Sequence, residues 1–178
     1  MEVAAVLRNP LAREWVQQTE ETCSFLGGIL SIINPAQYNA GIAYIEAIGR
    51  TPERVAKRDH LEHLLNGWTS PYAACSLMNN RDSPLHRDNG GGYTSMDLLT
   101  SVGEYTDGRF FLPGLGVELW YASGTVVGIA GRVLRHGAKS NGERLCIAQY
   151  SRENVLEALD ICEPEWTVIG DLVHVTDS

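Results

Sequence analysis

The stretch Leu85-His86-Arg87-Asp88-Asn89-Gly90-Gly91-Gly92, followed by the apolar run Met96 to Val102, decides how this chain is read. Residues i and i+2 of a β-strand project to the same face. A strand Leu85–Asp88 therefore aims an imidazole and a carboxylate at one spot, and the asparagine and glycines form a flexible turn before the next strand. Forty-eight residues beyond the aspartate comes His136, in Arg132-Val133-Leu134-Arg135-His136-Gly137. A histidine ending a second strand, Val133–His136, can complete the set.

Outward from that stretch, the chain after Ser70 reads as strands: Tyr72–Met78, Leu85–Asp88, Met96–Val102, Arg109–Leu112, Val117–Tyr121, Thr125–Ala130, Val133–His136 and Arg144–Tyr150. These are about eight short strands, the number a double-stranded β-helix requires. Asn141-Gly142 is a hairpin signal ahead of the last of them, in which Arg144, Cys146, Ala148 and Tyr150 share one face. The first 70 residues read as helices. Leu26, Ile29, Leu30 and Ile33 are spaced for one helix, stopped by Asn34-Pro35. Tyr38, Ile42 and Ile45 mark a second that ends near Gly49. Thr51-Pro52 resembles the cap of a third, with Leu61, Leu64 and Leu65 on its buried face and Gly67 closing it. Residues 153–163 suggest a terminal helix and Trp166–Val175 a further strand. The expected fold is mainly β (α+β): a cupin-like jelly roll over residues 71–155, with helical support over 1–70. An acidic segment, 156–178, packs on the core, all within a single domain.

The 178 residues suffice for one core without staples. Formal charge is −8, but residues 153–178 hold seven acids and no Lys or Arg, leaving 15 acids against 14 bases elsewhere. Net charge therefore neither excludes nor requires an anionic partner. The four widely spaced cysteines read as thiols in a reducing compartment. The N-terminus has no apolar signal-peptide core and no run is long enough to span a membrane. A monomer inside the cell, nuclear or cytoplasmic, is expected.

Two histidines and one carboxylate form the facial triad that leaves iron positions open for a co-substrate and O₂. A lone His-x-Asp also occurs by chance; here the turn after it and the strands around it raise its weight. An arginine entering the barrel at 144 can grip a dicarboxylate's far end with its two-donor fork, and Arg152 is its rival if the strand runs on past Tyr150. Other candidates have plainer readings. Asp59-His60 with His63 is metal-ligand spacing on a helix or a solvated face. Arg50, Arg54, Lys57 and Arg58 form a basic cluster that touches phosphates or only water. His174 reads as a surface residue, and Arg87 alternates away from the metal. The loop Asn89–Gly92 is either a plain turn or a lip over a substrate.

Ser83-Pro-Leu-His86-Arg-Asp88, the strand Met96–Gly103, Gly108-Arg-Phe-Phe-Leu-Pro-Gly-Leu-Gly116 and Tyr121–Gly131 leading to His136 resemble 2-oxoglutarate/Fe(II) dioxygenases of the TET/JBP type, nearest the fungal branch. The resemblance spans roughly residues 71–155. It implies an enzyme with His86, Asp88 and His136 as catalytic iron ligands and 2-oxoglutarate held by Arg144. Asn79 is then the candidate for the co-substrate's near carboxylate, with Asn80 as its rival, and Asn89 a candidate substrate contact. The implied activity is oxidation of a methyl group on a nucleic-acid base, of the 5-methylcytosine or N6-methyladenine type, with methylated DNA as partner. Two alternatives stand beside it: an oxygenase for a small molecule or protein side chain, and a catalytically silent cupin-like binding module.

Overall fold

A computed structural model describes residues 2–162, 164–166 and 168 of the chain, which divides into two units, Met1–Ala73 with Asn154–Ser178, and Ala74–Glu153. His174 and most of the strand expected over Trp166–Val175 lie outside the described residues.

The first unit is helical: α1 (Pro10–Gln18), α2 (Glu20–Ile33), α3 (Pro35–Arg50) and α4 (Leu61–Leu65), with short 3-10 turns, and all of α5 (Glu153–Glu157) but its first residue, which belongs to the second unit. Asn34 separates α2 from α3 and serves both. Its N–H donates to the Leu30 carbonyl at 2.8 Å, and its Oδ1 accepts the Gln37 N–H at 3.1 Å. Pro35 then sits in the first turn of α3, where its missing N–H costs nothing. The buried face of α3 is Gln37, Gly41, Tyr44 and Ile48, whereas Ile42, expected inside, is exposed. A side chain at position 41 would strike the Pro71 backbone, so glycine lets the helix approach that segment closely. Thr51 does not cap a following helix, as its sequence suggests. Its hydroxyl donates back to the Ala47 carbonyl at 2.8 Å, and only a 3-10 turn follows. The terminal helix is also shorter than expected, stopping at Glu157. Val3, Tyr44, Ile48, Val55, Leu61, Leu64, Leu156 and Leu159 form the core. No helix among the described residues is long and apolar enough to cross a membrane, and the four cysteines form no disulfide.

The second unit is one antiparallel sheet of six strands: β1 (Ala74–Asn79), β2 (Ser83–His86), β3 (Asp97–Leu112), β4 (Val117–Trp120), β5 (Val126–Ile129) and β6 (His136–Tyr150). β3 and β6 pair along nearly their whole length, from Leu98↔Gln149 to Phe111↔Gly137. β1 and β2 pair with β6, and β4 and β5 with β3. The main path β1-β6-β3-β4 ends at β1 and β4, so the sheet is not closed.

Six strands replace the eight expected because two long ones absorb four short readings. Met96–Val102 and Arg109–Leu112 are parts of β3. β6 runs straight through Asn141-Gly142, which is not a hairpin. Those residues pair with Thr106 and Tyr105, and a bulge between Thr106 and Arg109 takes up the irregularity. Gly142 uses its positive φ of 118° inside the ladder instead of at a turn. Val133–Arg135 is not a strand either. The N–H groups of Val133 and Leu134 both donate to the Ala130 carbonyl, a tight turn that delivers the chain to His136.

Candidate active site

His86 ends β2 and His136 begins β6, and the two are paired in register. Their ring centroids stand 4.5 Å apart, and Phe110 of β3 stacks on His136 at 5.7 Å. Asp88 lies two residues beyond β2, not within a strand. Its N–H donates to the Gly131 carbonyl at 3.0 Å, and this bond turns its carboxylate back toward both rings. Oδ1 lies 3.5 Å from His86 Nε2 and Oδ2 3.5 Å from His136 Nε2. One ligand atom from each of the three residues falls within 4.8 Å of the others, and no other such trio occurs among the described residues.

The far side of each imidazole decides what the near side can do. His86 Nδ1 lies 2.7 Å from the Pro84 carbonyl and His136 Nδ1 3.0 Å from the Leu134 carbonyl. A carbonyl only accepts, so in the neutral ring Nδ1 carries the proton and Nε2 presents its lone pair toward Asp88. Both rings are thus held in the tautomer that ligates a metal, with the outer hydrogen bond that metal-binding histidines usually make. His136 is buried while His86 and Asp88 are partly open, which leaves one side of the trio accessible.

The sequence reading missed two neighbours. Asp97, the first residue of β3, is buried against Asp88. Burial, followed by the Asp88 charge and a hydrogen bond to that carboxyl, pushes the Asp97 carboxyl up to about 7. Gly131 lies so close to both carboxyl groups that a Cβ there would overlap the Asp88 carboxylate. Gly131→Ala is therefore expected to displace Asp88 and lower metal affinity by at least the roughly 10–100-fold that outer-partner changes cost, with the sheet still folded. Titration of Mn(II) into the variant, alongside its circular dichroism spectrum, checks this; unchanged affinity defeats it.

A cavity of about 450 Å³ opens beside the trio. β6 supplies its wall with alternating side chains, Arg144, Cys146, Ala148 and Tyr150, in line with His136 and Ala138. Arg144 was expected on the strand after His136; it lies on the same strand eight residues on, and that even spacing keeps both on one face. Arg144 is 2% exposed. Its Nη2 donates to the Arg81 carbonyl at 2.7 Å, but Nε and Nη1 have no hydrogen-bond partner among the described residues. Its guanidinium carbon lies 5.7 Å from the Tyr121 ring centroid. Burial pushes both the Tyr121 hydroxyl and the Cys146 thiol up, so at neutral pH both stay uncharged. The arginine's charge is therefore open to an anion, and an orphaned buried cation fits a carboxylate.

The remaining candidates divide. Asn89 and Arg152 line the cavity. From β1 it takes Ser76 and Met78, whereas Asn79 alternates to the other face and is not among the lining residues. Asn80 braces β6: its Oδ1 accepts the Arg144 N–H at 2.7 Å, and its side-chain amide donates to Glu143. Arg87 Nε donates to the Val133 carbonyl at 3.0 Å. His60 Nδ1 lies 3.0 Å from Arg13 Nη1, and neither it nor His63 joins a metal-ligating trio. Within the basic cluster, Arg50 pairs with Glu46 and Arg54 with Asp160.

An antiparallel sheet that brings two histidines, a carboxylate and a buried arginine to one cavity has the make-up of a 2-oxoglutarate/Fe(II) oxygenase core. Residues 5–153 match the Tet_JBP family model, described as the oxygenase domain of the 2OGFeDO superfamily, and the chain belongs to that family. The superfamily uses Fe(II) and 2-oxoglutarate. The match reaches beyond the strands that carried the sequence resemblance and includes the N-terminal helices. Among solved structures, "NgTET1 in complex with 5mC DNA" is similar with a TM-score of 0.64 at 15% identity. The similarity covers 99% of this chain and 64% of that one, so this chain spans under two thirds of its length. The likeness establishes the fold, the double-stranded β-helix of the TET oxygenases. A search of the curated proteins gave no significant match.

Proposed function

We propose that the chain is an Fe(II)/2-oxoglutarate-dependent dioxygenase that oxidises a methyl group on a nucleic-acid base. One observation carries this reading: the His86–Asp88–His136 trio shares its cavity with the unmet donors of Arg144. Two imidazoles and a carboxylate suit Fe(II), and a buried guanidinium suits the far carboxylate of a dicarboxylate. When bound, the iron and 2-oxoglutarate supply the oxidising power that breaks a C–H bond, with succinate as co-product. The chain's own residues orient and exclude. The Pro84 and Leu134 carbonyls fix the two imidazoles, Phe110 screens His136 from water, and Arg144 sets the direction in which the dicarboxylate lies. Asn89 is the proposed substrate contact at the rim.

The likeness to a structure described with 5mC DNA supports the base as substrate class. A cavity of about 450 Å³ takes a co-substrate and a base-sized group, so a duplex base enters only when flipped out, at a cost of about a few kcal/mol. Charge limits how DNA is held. Residues 74–153 hold eight acids and eight bases, so the net −8 resides entirely in the other unit, with 22 − 8 = 14 acids and 14 − 8 = 6 bases. Binding rests on local contacts, with Arg81 and Arg87 of the charge-balanced unit as one candidate set and Arg50, Arg54, Lys57 and Arg58 of the acidic unit as the other. Neutralising a true contact is expected to reduce the salt dependence of DNA binding by about one unit of slope.

The deciding experiment incubates the protein with methylated oligonucleotides, Fe(II) and 2-oxoglutarate, then measures succinate and analyses the nucleosides by mass spectrometry. Oxidised methyl groups support the reading. Charge balance in the catalytic unit favours, as second reading, a small-molecule or peptide oxygenase. Succinate release with such a substrate and no DNA affinity at low salt selects it. No succinate with any substrate leaves the binding module.

A further inference from the structure

Arg132 ties down the loop that follows the Asp88 turn. Its Nη1 donates to the Gly91 carbonyl and to Glu153 Oε2, both at 2.7 Å, and its guanidinium lies over the Tyr93 ring, 3.9 Å from the centroid. The preceding residue, Gly131, accepts the Asp88 N–H. Glu153 adds a second tie to the loop, its N–H donating to the Gly90 carbonyl at 3.3 Å. Asn89, Gly90 and Gly91 form one border of the cavity.

A run of three glycines has no side chains to anchor it and loses more conformational freedom on ordering than any other residue type. Its order must come from neighbours. Arg132 supplies much of it from one side chain, because a planar guanidinium can hold two oxygens at its edge while its face rests on an aromatic ring. Both oxygens share one nitrogen here, so an ammonium could meet them too, but it has no planar face to rest on the Tyr93 ring.

We propose that Arg132 is a positioning residue, resting on the oxygenase reading above: it clamps the Asn89–Tyr93 lip against Glu153 and so sets the width of the mouth through which a substrate reaches the His86–Asp88–His136 trio. The clamp acts on substrate entry and leaves the co-substrate anchor, on β6, untouched. Arg132→Gln removes the guanidinium clamp and leaves the lip only the Glu153 N–H tie to Gly90. Arg132→Lys keeps the charge and its donors but not the face stacked on Tyr93, and Glu153→Gln keeps the Gly91 bond but weakens its anchor.

Hydrogen exchange on the metal-free full chain tests the clamp independently of any activity. Amides of residues 89–93 are expected to exchange about tenfold faster in Arg132→Gln and less so in Arg132→Lys and Glu153→Gln, with β1, β3 and β6 unchanged. Wild-type exchange of the lip in both Arg132→Gln and Glu153→Gln overturns the proposal, and so does faster exchange throughout the sheet in both. Kinetics with a methylated oligonucleotide then read the consequence. The oligonucleotide KM is expected to rise several-fold and succinate released without substrate to increase, while the KM for 2-oxoglutarate holds. A loosened lip with an unchanged oligonucleotide KM overturns the role at the mouth. A loosened lip in a protein whose wild type makes no succinate supports the clamp and removes the oxygenase reading instead.

Discussion

Asp88→Ala is expected to abolish succinate formation and to lower Fe(II) affinity by more than about 100-fold, with the sheet intact. Changes to the partners behind a ligand cost about 10–100-fold, and here a charged ligand itself is lost. The carboxylate is the point at which the trio meets, 3.5 Å from each Nε2. Without it, no carboxylate within the trio joins the two imidazoles, since Asp97 beside it is not one of the three. Folding should tolerate the change. Asp88 is partly exposed, belongs to no strand, and is held by its backbone N–H to Gly131, which alanine retains. Its removal also relieves the crowding of negative charge that contributes to the raised Asp97 pKa. Iron content after reconstitution, succinate yield and thermal unfolding together check the expectation. Metal content and turnover at wild-type levels would remove Asp88 from the ligand set.

The trio was legible because its residue types carry the chemistry wherever the backbone runs. The reason given for it needed revision: His86 and Asp88 meet through a turn held by Gly131, not through strand alternation. Strand boundaries were less legible because Gly103, Asp107-Gly108 and Asn141-Gly142 each read locally as breaks. What carries β3 and β6 through them is their mutual ladder, a nonlocal pairing that no short window contains. Register also decided the asparagines. Asn79 and Asn80 are equivalent as residue types, and only the pairing Asn79↔Leu145 turns the first away from the cavity. Asp97 did leave a signal, an acid embedded in the apolar run Met96–Val102. Arg132 left none, because its partners lie 21 to 41 residues away.

Arg144 gives the sharpest prediction, since the protein bears a cost there that a ligand relieves. Among the described residues only Nη2 is bonded, to the Arg81 carbonyl, while Nε and Nη1 are buried without partners. A charge-assisted hydrogen bond is worth about 1.5–3 kcal/mol, so losing one to 2-oxoglutarate weakens binding roughly 10–150-fold at about 1.4 kcal/mol per decade. Arg144→Lys keeps the charge but not the fork and should show that loss. Arg144→Met goes further. Replacing an underpaired buried ion with an apolar side chain of similar length is often neutral or stabilising, so the ligand-free variant is expected to unfold at or above the wild-type temperature. Ligand linkage should then separate stability from binding. With Mn(II) in place of iron, 2-oxoglutarate should raise the melting temperature of the wild type and leave Arg144→Met unmoved. Arg152 lines the same cavity from its rim and is the control. If Arg152→Met loses the shift while Arg144→Met keeps it, the anchor is Arg152, and the buried guanidinium of Arg144 serves the strand through Arg81 alone.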